Sequence, residues 1–321
     1  MRLIQRTNGT PLSSPARDFL AIEGLPAGEL RRLLDLARSL LPRAVGDAPS
    51  APELAGKIVA NIFFEDSTRT RVSFEIAAKR LGADVVNLGA SGSSASKGET
   101  LVDTARNIEA MGVDALVVRT SISGGAGLVA GSVECPVINA GDGRHEHPTQ
   151  ALLDMLALEL RLGDLRGKRV AIVGDIANSR VARSSTHALV ALGAEAVIVG
   201  PPALVPEGYD QLSHGVGKIT ITHDLDGIIG EIDAIMMLRI QLERAAGSGI
   251  APDYRASFGL TEARRRKLRP GTPILHPGPV NRGVEIDDAV ADDARDSLIL
   301  PQVSCGVAAR MAVLLRAFGH G

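Results

Sequence analysis

The chain has 321 residues, of which 45% are hydrophobic, and a formal net charge of -2. That length fits two ordinary domains better than one, and the apolar share is ample for packed cores, which excludes a largely disordered chain. Near-neutral charge, no tryptophan and 2% aromatic residues leave neither the basic footprint nor the stacking platforms of a nucleic-acid or membrane-surface protein.

The N-terminus, MRLIQRTNGTPLSSPARDF, lacks the apolar core of a signal peptide. A first helix is predicted from Pro26 to about Arg43, where Leu30, Leu33, Leu34, Leu40 and Leu41 recur at helical spacing and Pro26 suits a first turn. KIVANIFF (57–64) reads as a strand and TRTRVSFEIAAKRLG (68–82) as a helix that ends at Gly82. SGSSASKGET (91–100) is a small-residue loop leading into another helix. ALVV (115–118) and PVINA (136–140) are further strands. A long helix is expected from Pro148 to about Gly163. The alternation then restarts with strand 168–175, helix 179–192 and strand 194–201. KITITHD, DAIMMLR and TPILHPGP follow as successive strands, and GVAARMAVLLRAF closes the chain as a helix. Val- and Ile-rich runs alternating with helical patterns indicate α/β units and parallel sheets. The expectation is two doubly wound α/β parallel-sheet domains joined by interdomain helices, the 148–163 helix chief among them.

No stretch is expected to approach the roughly 18 apolar residues of a membrane span. Cys135 and Cys305 form no C-x-x-C and no disulfide framework. Two reduced thiols in a cytoplasmic protein are the expectation.

In open α/β sheets, ligands bind beyond the carboxyl ends of strands, and each polar cluster of this sequence falls at such a place. Ser67, Thr68, Arg69, Thr70 and Arg71 stand where a strand hands over to a helix. Free N–H groups at a helix start attract an anion; hydroxyls add donors and Arg69 adds a planar charged fork suited to phosphate. Two arginines in a first turn oppose the helix dipole unless an anion compensates. Lys97 rides on a loop whose composition allows movement. Arg119 ends an apolar strand, where a charge needs a partner. In GDGRHEHPTQ, the residues Asp142, His145, Glu146, His147 and Gln150 precede the long helix. HEHPT is not H-E-x-x-H and has no companion His/Cys pair, so no metal is expected. A neutral His147 polarising a carbonyl is the better reading, since a helix N-terminus lowers histidine basicity. VAIVGDIANSR lacks two of the three glycines of a dinucleotide turn, so no nucleotide cofactor is expected and Arg180 asks for another anion. Arg239, Gln241 and Arg244 stand at and beyond a strand end, where arginine with glutamine reads a carboxylate. HPGPVNRG is a stiff two-proline loop exposing carbonyls that can accept from an amine.

STRTR, SKGET, HPTQ, GDIANSRVARS, MMLRIQLER and HPGPVNRG occur here in the order found in the aspartate/ornithine carbamoyltransferase family, whose aspartate branch this chain resembles from about Gly24 to Phe318. STRTR and HPTQ are shared by the whole family. The last two motifs belong to the aspartate branch, and the H-C-L-P and S-M-G segments of an ornithine enzyme are absent. The resemblance implies transfer of a carbamoyl group from carbamoyl phosphate to L-aspartate, an early step of pyrimidine synthesis, without a cofactor. It implies a carbamoyl-phosphate domain over residues 1–148, an aspartate domain over 149–302, and a terminal helix, 303–321, packing back on the first. By position, Ser67, Thr68, Arg69 and Thr70 hold the phosphate. Thr70, Arg119 and His147 polarise the carbonyl, and Gln150 takes the carbamoyl amide. Ser93 and Lys97 reach the neighbouring subunit's site, making a homotrimer with shared active sites at the subunit interface. Arg180, Arg239 and Gln241 bind the aspartate carboxylates, and carbonyls around Pro277, Gly278 and Pro279 receive its amine or the carbamoyl NH2. Lys97 serves aspartate as well, and Glu65 pairs with Arg180 and Arg244 as the cleft closes. A regulatory chain or a dihydroorotase is left open as a further partner. Competing readings are a catalytically silent relative, which would have lost the phosphate motif or loop lysine, and a transferase for another amine. Asn178, Ser185 and Cys305 depart from the residues most familiar at those places.

Overall fold

The computed structural model describes residues 17–89, 99–240 and 254–320. The chain opens with helix α1 (Ala27–Val45) and builds a first parallel sheet from β1 (Ile58–Phe63), β2 (Asp84–Gly89), β3 (Ala115–Thr120) and β4 (Val137–Asp142), in spatial order β2-β1-β3-β4. Helices α2 (Thr68–Arg80), α3 (Leu101–Ala110) and α4 (Gly125–Ala130) make the crossovers. Strands β1, β3 and β4 are buried almost throughout, as parallel strands covered on both faces must be. β2 lies at the sheet edge and is largely exposed.

Helix α5 (Pro148–Leu162) leads to a second parallel sheet of β5 (Arg169–Val173), β6 (Glu195–Val199), β7 (Lys218–Thr222), β8 (Ala234–Met237) and β9 (Ile274–Leu275), ordered β7-β6-β5-β8-β9. Helix α6 (Arg180–Ala191) joins β5 to β6. The short helices α7 (Leu225–Ile228), α8 (Tyr254–Phe258), α9 (Glu262–Arg265) and α10 (Asp288–Ala291) complete this part, and α11 (Ile299–Ala317) ends the fold. Every residue of α5 from Pro148 to Glu159 is buried, because the helix is clasped by α1 and α11 on one side and α6 on the other. One apolar cluster therefore runs without a break from Phe63 and Phe74 through Leu152 and Met155 to Val170 and Ile198. α11 packs along α1, α2 and α5.

Several expectations need amendment. β9 is a two-residue strand, since Pro277 and Pro279 cannot donate to a ladder. α11 begins at Ile299, four residues ahead of the expected return at 303. It is also long and apolar enough to cross a bilayer by length and mean hydropathy (1.3), contrary to the sequence reading. Two-thirds of it is buried inside the protein, which makes it a core helix by the same composition. β2, α4 and the four short helices are elements for which the sequence offered no clear period.

Candidate active site

β1 delivers the chain to Ser67, whose backbone is extended and whose side chain makes no cap bond to α2. The first turn holds no acidic residue, so its N–H groups and the flanking hydroxyls are left for an external partner. Thr70 is buried and Arg69 is exposed. Partial burial lowers the Arg69 guanidinium from its ordinary value without threatening its charge. Arg69 lies against Gly278, where an added Cβ would stand 3.0 Å from its Cζ. Arg71 points elsewhere and lies near Gly89 at the end of β2.

Arg119, the penultimate residue of β3, is 8% exposed. Its Nη2 donates to Glu65 Oε1 at 2.7 Å and its Nη1 to the Ala140 carbonyl at 3.1 Å. Burial, and then the charge of Arg180, pull this guanidinium down to about 10, so it stays cationic at neutral pH. Glu65 also takes the fork of Arg180 from the start of α6, at 2.5 Å (Nη2 to Oε1) and 3.0 Å (Nη1 to Oε2). Arg180 donates to the Gly143 carbonyl as well, at 3.1 Å. Burial pushes the Glu65 carboxyl up, but hydrogen bonds and charge from Arg180 and Arg119 outweigh it and hold the group below its ordinary value. One carboxylate thus joins the β1–α2 turn to β3 and to the second sheet.

His147 precedes α5, with its backbone N–H donated to Ser184 Oγ at 2.8 Å. Its Nδ1 is buried without a hydrogen-bond partner among the described residues. Burial, reinforced by Arg119, Arg180 and Arg310, drives its pKa far below the ordinary histidine range, so the ring is neutral. Gln150, near the start of α5, donates to Asp154 Oδ1 at 2.8 Å.

Across the gap, Asn178 braces Asp175 at 2.9 and 3.1 Å, and Ser179 caps α6 by accepting from the Ala182 N–H at 3.1 Å. Arg239 follows β8, its Nε 3.4 Å from Asn281 Oδ1. After β9 the chain runs through His276 and Pro277 into a cis Gly278–Pro279 bond, with Gly278 at φ +65°. Only a residue without Cβ takes that backbone freely.

These pieces surround one cavity of about 730 Å³. Its wall includes Glu65, Ser67, Thr68, Arg69, Thr70, Arg119, His147 and Gln150 from one side, and Arg180, Arg239, Gly278 and Pro279 from the other. Arg69, Arg119, Arg180, Arg239 and Arg310 line it against Glu65 and Asp66, so it favours anionic ligands. Ser93, Lys97, Gln241 and Arg244 lie outside the described residues.

The structure adds a wall residue, Arg310, and a carboxylate buried behind the wall, Asp154, that sequence reasoning passed over. Arg310 of α11 is 3% exposed, donates to the Gly306 carbonyl at 2.9 Å, and sets its guanidinium 5.2 Å from the Phe74 ring centroid. Burial above all pulls it down to about 9. Asp154, fully buried, receives Gln150, Gln302 (2.6 Å) and Ser185 (3.4 Å). Burial raises its carboxyl to about 7, against those three donors and Arg310. The available signal was a charge inside an apolar helix: Arg310 in GVAARMAVLL and Asp154 in ALLDMLAL. Two of the unfamiliar residues meet there, for Cys305 is buried near Asp154 and its thiol is pushed up to about 12 by burial and then by that carboxylate. In the HEHPT cluster, Glu146 accepts the N–H groups of Ile22 and Glu23 and the hydroxyl of Ser184, while Asp142 takes Gly124, Glu146 and Asn139 donors. Both acids are structural struts.

Residues 17–160 match the family model described as aspartate/ornithine carbamoyltransferase, carbamoyl-P binding domain, and residues 166–317 match the Asp/Orn binding domain of the same family. The chain is 53% identical over 300 residues to the aspartate carbamoyltransferase catalytic subunit of Myxococcus xanthus, covering 93% of this chain and 98% of the relative. Its likeness to the Granulibacter bethesdensis subunit of that name is 51% over 299 residues, 92% of this chain and 93% of the other. Among solved structures, aspartate transcarbamoylase from Trypanosoma cruzi in complex with carbamoyl aspartate and phosphate superposes with a TM-score of 0.82 at 32% identity, over 93% and 94% of the two chains. An ornithine carbamoyltransferase from Pyrococcus furiosus superposes with a TM-score of 0.84 at 29% identity, over 97% and 99%.

Proposed function

This chain belongs to the aspartate/ornithine carbamoyltransferase family, and from that premise we propose that its cavity carries the carbamoyl group of carbamoyl phosphate to the amine of L-aspartate. The observation that carries the reading is the two-sided wall: a helix start bearing Arg69, with Arg119 beside it, facing, across one cavity, Arg180, Arg239 and a carbonyl-bearing loop.

The phosphate sits against Ser67, Thr68, Arg69 and Thr70, where α2 presents N–H groups and Arg69 its fork. Thr70, Arg119 and neutral His147 donate to the carbonyl oxygen as it gains negative charge, and Gln150 holds the carbamoyl amide. A neutral imidazole is required here, because it offers an N–H without adding a labile proton. Arg180 and Arg239, with Gln241, take the two carboxylates of aspartate, while carbonyls at Pro277, Gly278 and Pro279 orient its amine. The deprotonated amine attacks the carbonyl carbon and a C–N bond forms. The C–O bond to phosphate then breaks, and the departing phosphate takes the amine proton. Positioning and fixed charge supply the acceleration, and no covalent intermediate is needed. Glu65 with Arg180 and Arg244 locks the cleft.

The carbamoyl-phosphate domain spans the chain up to 148 together with the terminal segment from 303, which is the later part of α11, and 149–302 make the aspartate domain. Ser93 and Lys97 serve the site of a neighbouring copy in a cytoplasmic homotrimer, with Lys97 touching both substrates. A regulatory chain or dihydroorotase would join at that level. Colorimetric assay of carbamoyl aspartate tests the reading: product from aspartate alone in an acceptor panel is expected, and no product above blank overturns it. Product from ornithine in place of aspartate would move the chain to the other branch. Light scattering should give the mass of three chains.

A further inference from the structure

At the foot of the 276–280 loop lies a fully buried pair to which the proposed reaction gives no direct role, with His276 at the cavity border and Glu285 behind it. The side chains of His276 and Glu285 are both 0% exposed. The Gly278 N–H donates to His276 Nδ1 at 2.8 Å, and His276 Nε2 stands 3.1 Å from Glu285 Oε1. An N–H can only donate, so Nδ1 is the unprotonated nitrogen, and the ring proton on Nε2 is given to Glu285. The same Glu285 oxygen accepts the Asn281 N–H at 2.6 Å. Asn281 in turn donates from its Nδ2 to the Ile240 carbonyl at 2.9 Å and turns its Oδ1 toward Arg239 Nε at 3.4 Å. His276 is fixed from its backbone as well, its N–H bonding Gln302 Oε1 at 3.0 Å.

A two-proline loop makes few hydrogen bonds of its own, and its aim must be set from outside. Glu285 is placed to set it twice: through His276 to the Gly278 backbone, and through Asn281 to Arg239. Burying a carboxylate is costly unless donors meet it; here His276 Nε2 and the Asn281 N–H both meet Oε1 and belong to the acceptor side of the cavity, while Oε2 is buried without a partner among the described residues.

We propose that Glu285 and His276 are positioning residues for the acceptor half of the site, fixing the Pro277–Pro279 carbonyls and Arg239 in the geometry that receives the amino-acid substrate. The inference rests on the carbamoyltransferase reading of the cavity. Misplacing a binding group by about 1 Å can cost on the order of 10²-fold in rate, so loosening this pair has a measurable consequence. The consequence falls chiefly on the acceptor, because the Ser67–Thr70 turn makes no hydrogen bond to either residue and meets the loop by packing, through Arg69 against Gly278.

The test is steady-state kinetics of the full-length chain with each substrate varied in turn, alongside thermal melting. Glu285→Gln keeps the shape but can no longer serve the Asn281 and His276 donors as a charged acceptor. It is expected to raise the aspartate KM by about tenfold or more, while the carbamoyl phosphate KM stays within about threefold. His276→Asn can still accept the Gly278 N–H through its side-chain oxygen, in the manner of an Asx turn, and should recover most of what His276→Ala loses. Asn281→Ala, at a half-buried position, should raise the aspartate KM with the His276–Glu285 pair intact. A pair that only stabilises the fold would lower the melting temperature and raise both KM values together. That pattern, or an unchanged aspartate KM in folded Glu285→Gln and Asn281→Ala, overturns the inference. An inactive wild-type chain would overturn the underlying functional reading instead, so the two failures are distinct.

Discussion

Replacing Glu65 by glutamine removes the one negative charge shared by Arg119 and Arg180, and the arrangement fixes what should follow. The carboxylate accepts at 2.7 Å from Arg119 and at 2.5 and 3.0 Å from Arg180. The two guanidiniums are 10% and 14% exposed and the carboxylate 25%. Removing one partner from a fully buried pair costs about 3–5 kcal/mol. A quarter-exposed carboxylate is partly screened, and glutamine keeps one acceptor, so about 2 kcal/mol is the expected loss here. For a chain of this size that is a fall in Tm of about 3 °C. Glu65 has its folded pKa held below the ordinary 4.5. The stability it contributes is therefore present above the unfolded value and is lost as pH falls through the folded one. Differential scanning fluorimetry of wild type and Glu65→Gln from pH 8 downward should show a constant gap to about pH 5 that closes below it. A variant melting within about 1 °C of wild type at pH 7, or a gap that survives acidification, would refute the claim that this charge links the two sheets.

Three further outcomes follow from the same geometry. Arg69→Ala should lower kcat by about 10²-fold or more, as loss of one preorganised donor does, with a near-wild-type rate marking Arg69 as surface. His147→Asn should reduce kcat while leaving the shape of its pH dependence between 6 and 8 unchanged, because the wild-type ring is already neutral there; a moved inflection would contradict that assignment. Asp154 has its folded pKa raised to about 7, so its favourable term is complete at low pH and fades as pH rises through that value. Asp154→Asn should therefore gain in Tm relative to wild type between pH 5 and 8, and a pH-independent difference would mean Asp154 is ionised throughout.

Much of the first side of the cavity was legible because it is local. Ser67–Thr70 are consecutive, and a helix start announces its own empty donors. His147 and Gln150 are likewise adjacent to one helix N-terminus. The α/β alternation was legible for the same reason, since strand and helix periods are properties of short windows. Asp154, Gln302 and Arg310 were missed because each looks like a misplaced charge or amide until α5 and α11 are packed together. β2 was missed because its exposed edge position erases the apolar run that marked β1 and β3. α11 was misjudged as to membrane-spanning capacity, since composition describes a helix and not what surrounds it.

The order of residues determined by itself where backbone donors would be left empty, which side chains would stand beside them, and that the chain would alternate strand with helix. It could not determine that Glu65 would be shared with Arg119 as well as Arg180, that a carboxylate at 285 would govern a loop at 278, or that Arg310 would set its guanidinium against the Phe74 ring. Those are contacts between residues far apart in the chain. They exist because one continuous core presses both sheets onto α5, and because charges brought into that low-dielectric seam persist only where an opposite charge or a donor meets them.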